Sequence, residues 1–392
     1  MKKHRPEAVK VNAHLHTPYS FSAFDDIPQA LDMAVQEGVK VVGINDFYTM
    51  EGYGEWAREC RGRRLCPLFN IEFIGLQEED RAAGIRVNDP NNPGRTYLSG
   101  KGLAFPVDLT EPSKSRLAAV RKESDNHVRR MCGRLNEVLA ERGTGLVLDF
   151  DAVCRELTKG SVRERHLAKA LRLAAAKATG GDAEAFRALL EKVFGGVALK
   201  ADPTDAAAVE NEIRGKLLKA GGAAFVPESP EAFLPLEDVT RLILRAGGIP
   251  TYPFLADDVN GEFTDFERDL ERAAETLKKR HLWSVEFITG RNSLETLERY
   301  AGYLHDAGFV VTFGSEHNTP AAEPITLTAR GGVPLSPRLM QIGYEGACVV
   351  AAHQDIVESG MQGYVDERGL ADVEKRDEYI EYGDQVIKAA IS

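Results

Sequence analysis

Apolar and polar residues alternate at the start of the chain. Val9, Val11, Ala13 and Leu15 interleave with Lys10, Asn12, His14 and His16, the period of a strand whose two faces meet different surroundings. A loop, TPYSFSAFDD, follows, and Asp25 and Asp26 then lead into the helical stretch IPQALDMAVQEG, with Gly38 as its stop signal. KVVGIND reads as a buried strand, Glu51 to Arg63 as a helix, and PLFNIEFIG as a third strand. Strand, helix, strand order of this kind builds parallel strands joined by right-handed crossovers. From Lys101 to Arg245 the period changes. Segments such as SKSRLAAVRKESDNHVRRMCGRLNEVLAERG and RERHLAKALRLAAAKA have helical spacing and composition, with one strand expected at Gly145 to Phe150. Alternation then resumes in GGIPTYPFL, LWSVEFITG and GFVVTFGSEH, separated by helical DFERDLERAAETLKKR and SLETLERYAGYLHDAG. The pattern predicts an α/β fold, a parallel sheet or a parallel barrel, with a helical insertion. Residues 1–105 and 246–320 are expected to form its two α/β parts, 106–245 the helical insertion, and 321–392 an extension packed on them.

Charge narrows the partners. The 392 residues include 49 basic and 60 acidic side chains, a net of -11, which disfavours nucleic acid beyond short nucleotides and anionic membranes. The start, MKKHRPEAVKV, has no apolar run after its lysines, and no stretch of about 18 apolar residues occurs, so a cytoplasmic protein is expected. The five cysteines form no Cys-x-x-Cys pair and read as reduced thiols.

Candidate chemistry collects where strands end. His14 and His16 are two apart on one strand, so both side chains leave the same face and can converge on one ion. Glu72 sits inside the apolar stretch FNIEF, where an ionised carboxylate needs a partner, either a metal or an arginine. Glu316 and His317 follow the apolar strand FVVTF, at the end of a parallel barrel where active sites form. Arg163, Arg165 and His166 begin a helix of the insertion and Arg291 and Asn292 follow a strand. Arg95 and Lys101 lie in the loop RVNDPNNPGRTYLSGKG, rich in Asn, Gly and Pro. All are candidates for binding a small anionic substrate, against the alternative of solvated surface. Asp257 and Asp258 end another strand and could supply a general base or cap a helix. His353 reads as structural.

These segments together resemble the polymerase and histidinol phosphatase (PHP) superfamily across most of residues 9 to 320. HLHTPYS is similar to its first motif, GINDF to its Thr-Asp-His motif, NIEF to its Gly-Ile-Glu motif and FGSEHNTP to its Gly-Ser-Asp-x-His motif. RERHLAKAL and AAFVP resemble parts of the inserted domain of the family's nucleotide and short-oligonucleotide phosphatases, and LEDVTRLILRAGGIPTYPFL resembles the approach to a His-Pro motif. The resemblance implies a distorted seven-stranded barrel, up to three metals and hydrolysis of a phosphate ester by metal-activated water. The departures are specific. Phe47 and Tyr252 stand where the family has histidines, no histidine lies between Glu72 and His127, and the last motif aligns with either Glu316 or His317 as ligand. What survives is one divalent ion, Zn, Mn or Fe, on His14, His16, Glu72 and one of that pair. Asp46, as an acceptor, joins Asp257 and Tyr252, whose phenol could ligate, as candidate catalytic residues. Three classes stay open: a metal-dependent phosphoesterase, a metal-dependent enzyme for a non-phosphate substrate, and a silent binding or regulatory protein.

Overall fold

The computed structural model describes residues 5–229, 232–258, 260–321 and 323–392. Seven strands lie side by side in chain order: β1 (Lys10–Leu15), β2 (Val39–Phe47), β3 (Cys66–Leu76), β4 (Arg95–Lys101), β5 (Ile249–Phe254), β6 (Ser284–Ile288) and β7 (Val310–Gly314). Backbone bonds between the ends of β7 and β1 bring the sheet round into a nearly closed barrel: His16 N–H donates to Glu316 O at 2.8 Å and Glu316 N–H to His14 O at 3.0 Å. Gly314 permits this approach, because a Cβ there would fall 2.2 Å from His14 Cβ.

The barrel is therefore the expected α/β type, with one exception to its parallel strands. β4 pairs antiparallel with both neighbours. Its residues belong to the stretch read as a surface loop, because the Asn, Pro and Gly of NDPNNPG mask the short RTYLSGK strand behind them. Gly145 to Phe150 is not a strand; helix α5 (Phe150–Leu157) starts there, with the Asp149 carboxylate accepting from the N–H groups of Asp151 and Ala152.

Helices α1 (Ile27–Gln36), α2 (Tyr53–Arg63) and the short α3 (Glu78–Ala82) follow the first three strands. After β4 the chain leaves the barrel through α4 (Glu111–Glu141), then α5, α6 (Glu164–Ala178), α7 (Ala183–Val193) and α8 (Ala206–Ile213). These helices share their own core, running from Val128 to Ala224 and including Leu135, Leu167, Leu190 and Ile213. Helix α9 (Leu236–Arg245) instead packs its buried Leu236, Val239 and Ile243 into the barrel core, so the insertion's own core ends before it. Helices α10 (Leu270–Lys279) and α11 (Leu294–Asp306) complete the outer layer.

The C-terminal segment is more than a tail. Helix α12 (Pro337–Glu358) is buried from Ile342 to Gln354, and with α13 (Arg376–Ile391) it seals the end of the barrel where the parallel strands begin, against Val41, Cys66, Leu68, Ile249 and Val310. The opposite mouth is left open by these helices. Among the described residues no helix is long and apolar enough to cross a membrane.

Candidate metal centre at the barrel mouth

Inward positions of the strands are unusually polar. Asn45, Asn70, Ser99, Lys101, Thr251, Ser284, Glu286 and Thr312 are all fully buried, where the interior of such a barrel is ordinarily apolar. They satisfy one another: Thr251 Oγ1 donates to Ser284 Oγ at 2.8 Å, and Asn70 Nδ2 to Ala13 O at 3.0 Å. This polar interior carries three converging donor atoms at its top.

His14 and His16, on alternate positions at the end of β1, place their Nε2 atoms 3.3 Å apart. Glu72 Oε2, from β3, lies 3.3 Å from His16 Nε2 and 3.8 Å from His14 Nε2. All three side chains are buried, and Glu72 Oε2 has no hydrogen-bond partner. Donors bound tetrahedrally at about 2.0–2.1 Å to a single ion stand about 3.3 Å apart, so the spacing fits a metal. Each remaining ring nitrogen is anchored from behind. His14 Nδ1 lies 2.7 Å from Glu286 Oε2, and the Asn45 amide nitrogen stands 3.0–3.1 Å from both ring nitrogens. His16 Nδ1 lies 3.2 Å from Ser20 Oγ, whose hydroxyl donates to Asp46 at 2.6 Å. Burial opposes charge on His16, but the Asp46 and Glu72 carboxylates outweigh it and raise its pKa to about 9. Positive charge is thus favoured among the three atoms, as a proton when no metal is bound or as the metal itself.

No protein-family model matches the chain, and no curated protein matches it. The fold is similar to that of an amidohydrolase from Chromobacterium violaceum with bound sulfate and no metal, at a TM-score of 0.54 and 17% identity over 85% of this chain and 96% of that one. It is equally similar to a protein from Bifidobacterium adolescentis provisionally named a metal-dependent phosphoesterase, at a TM-score of 0.53 and 18% identity over 86% of this chain and 96% of that one. The fold is shared with proteins named as hydrolases.

Around the trio the predicted residues divide. Glu316 faces the mouth, its carboxylate held by Arg291 at 2.5 Å and by Asn318 Nδ2 at 2.7 Å. His317 turns away, with Nδ1 2.8 Å from Ser315 Oγ and Nε2 2.8 Å from Glu323 O, and its ring stacks on Phe24. Both residues have positive φ, 66° and 56°, a strained turn that aims them to opposite sides. Asp46 accepts from Thr17 and Ser20 and braces His16 rather than facing the cavity. Tyr252 lies on the outer face of β5, its phenol donating to Glu267 at 2.7 Å, and does not reach the trio. Asp257 is paired with Arg330 at 2.9 Å and accepts from Asn292 and Ser293 N–H, so it anchors the loop in which Asn292 is also buried. Lys101 is not available to a ligand: wholly buried, it lies 2.5 Å from Glu286.

Above the trio opens a cavity of about 1190 Å³ between the mouth and the insertion. Its cations are Arg81, Arg95 and Arg291 from the barrel and Arg163, Arg165, Arg214 and Lys219 from the insertion. These seven face five carboxylates, Glu72, Asp89, Glu164, Glu228 and Glu316. Arg95 is neutralised by Asp89 and Glu228, and Arg214 by Glu164. Arg163 lies over the Phe47 ring at 4.5 Å, and Phe47 in turn stacks on His16. Neither Arg163 nor Arg165 forms a salt bridge among the described residues. Burial and the neighbouring Arg214 hold Arg165 below the ordinary arginine range. His166 is buried beneath them, accepting the Arg163 N–H on Nδ1, and burial lowers its pKa to about 3. It caps α6 as a neutral group. Glu286, Arg214 and Lys219 were not anticipated from the sequence, although Glu286 in SVEFI carries the signal that singled out Glu72 in FNIEF, a carboxylate inside an apolar strand.

Proposed function

We propose that this protein is a metal-dependent phosphoesterase of the PHP superfamily, hydrolysing a small anionic phosphate ester. One observation carries the reading: a buried His, His, Glu donor set opens into a cavity whose cations outnumber its carboxylates, in a chain of net charge -11. Such a local reversal of charge favours an anion. The sulfate bound to the Chromobacterium amidohydrolase supports an oxyanion ligand for this fold, and the name of the Bifidobacterium protein supports the reaction. His14, His16 and Glu72 would hold one ion, and the donor types suit Zn, Mn or Fe. An ion held there would supply the chemistry of an acidified water, with a pKa of about 7, and of a Lewis acid toward a phosphoryl oxygen. Arg163 and Arg165, which form no salt bridge among the described residues, bind and neutralise the substrate's oxygens. Glu316 and Arg291 lie across the mouth, where the carboxylate can orient water and the guanidinium an anion. A panel of phosphomonoesters and nucleotides tests the proposal: activity should vanish with chelator and return with Mn or Zn. Robust chelator-insensitive turnover would place the chemistry elsewhere.

Phe47 favours a second reading. It covers His16 where the resemblance leads one to expect a further metal-binding histidine, so the clamp of several ions that suits phosphoryl transfer is reduced to one. A single ion also suits a non-phosphate substrate. Turnover of amides or sugar acids, with no turnover of phosphate esters, would decide for it.

A further inference from the structure

Behind the donor trio the barrel holds a fixed pair of opposite charges. Lys101 and Glu286 are both fully buried, with Nζ 2.5 Å from Oε1. Lys101 Nζ also donates to Ala13 O at 3.2 Å and Asn45 Oδ1 at 3.3 Å, which uses all three of its N–H groups. The other Glu286 oxygen lies 2.7 Å from His14 Nδ1. An ionised carboxylate only accepts, so the hydrogen between them belongs to Nδ1 and the Nε2 lone pair is left facing His16 and Glu72. Stability does not account for the pair, since burying two charges costs several kcal/mol per ion and apolar replacements are often neutral or better. The surrounding Asn, Ser and Thr residues show that uncharged groups satisfy this interior.

We infer that Glu286 and Lys101 are positioning residues of the donor trio: Glu286 fixes His14 in the Nδ1–H tautomer, and the Lys101 ammonium, 2.5 Å from that carboxylate, holds it in place as an acceptor. The inference rests on the metal-dependent reading above, yet its first readout is independent of metal. In metal-free protein labelled with 15N-histidine, His14 should show the Nδ1–H signature in the wild type and lose it in Glu286→Gln. Zinc titration by calorimetry should then show affinity weakened about 10- to 100-fold in both Glu286→Gln and Lys101→Met. The double variant Lys101→Met/Glu286→Gln leaves no unpaired buried charge, guards against misfolding, and should bind as weakly as the single variants. An unchanged His14 signature together with zinc affinity within threefold of wild type, in variants with native circular dichroism, would overturn the inference. Wild-type protein that takes up no zinc, while its His14 tautomer still follows Glu286, would instead overturn the proposed function and support Glu286 as the group that orients His14.

Discussion

The ring of Phe47 lies nearly parallel to that of His16, with centroids 5.1 Å apart and planes at 14°, and the Arg163 guanidinium covers its other face at 4.5 Å. A phenyl ring has no lone pair, so Phe47 supplies no donor atom beside His16. The wild-type protein should hold one ion per chain. Phe47→His should raise the content toward two when protein dialysed against excess Mn or Zn is assayed for metal. Two or more ions in the wild type would show that other side chains supply the missing donors, and an unchanged count in the variant would clear Phe47 of limiting it.

Glu72 Oε2 is buried beside two imidazole nitrogens without a hydrogen-bond partner. Its charge is one of the two that hold the His16 pKa up at about 9. Glu72→Gln removes that charge, so it should reduce metal content severely and lower the His16 pKa in chelator-treated protein. Metal analysis and an NMR titration of His16 read the two effects. A variant that retains metal would remove Glu72 from the ligand set, and His14→Ala gives an independent check on the same site.

How much of this was legible follows the physics of each residue. Strand alternation is local, so β1 with its two histidines, and Glu72 inside an apolar run, could be read directly from the chain. β4 could not: seven residues behind a turn-rich loop carry little periodicity, and their strand state depends on β3 and β5 on either side. The same non-local dependence hid the role of Lys101. Seen in sequence it ends a polar loop, yet its partner is Glu286, 185 positions later in the numbering, and only closure of the barrel brings them together. Glu316 and His317 are adjacent in sequence and separate only through their left-handed backbone angles, which no residue preference encodes for Glu or His. Tyr252 illustrates the period of two: a motif match names the position, but the face of β5 it occupies turns it to the helical layer.

Acid should destabilise the protein through two buried neutral histidines distant from the donor trio in role. His353 donates from Nε2 to Gly247 O at 2.6 Å and accepts the Tyr364 N–H on Nδ1 at 2.9 Å, and burial lowers its pKa to about 4. His166, equally buried, is lowered to about 3. In the unfolded chain both titrate near the ordinary value of about 6.5. Between these limits the unfolded state binds more protons, so the contribution of these two histidines is complete above about pH 6.5 and falls as pH drops toward 4. His353→Gln, which does not titrate, should flatten this fall by up to about 3 kcal/mol in urea denaturation followed from pH 7 to pH 4.5. An unchanged slope would mean that His353 protonates without cost.

Arg165 separates a binding role from a scaffolding one. It reaches the cavity from the start of α6 with one guanidinium nitrogen, Nη1, buried and unpartnered. Its neighbour Arg214 is paired with Glu164, and the electrostatic effect of Arg214 on Arg165 is repulsive. In the absence of ligand such a cation costs stability, and an anion in the cavity would recover it. Arg165→Met keeps most of the apolar stem and removes the charge, together with the guanidinium that lies 5.6 Å from the centre of the Phe21 ring. It should therefore leave metal content unchanged and leave the unliganded protein as stable or slightly more so. The KM for a phosphate ester should rise roughly 10- to 100-fold, the loss expected for a charged hydrogen bond of about 1.5–3 kcal/mol. Inorganic phosphate should likewise protect the wild type against thermal unfolding more than it protects the variant. If Arg165→Met lowers stability and leaves both KM and the phosphate effect intact, the residue is part of the insertion's framework and the anion is held by Arg163, Lys219 or Arg291 instead.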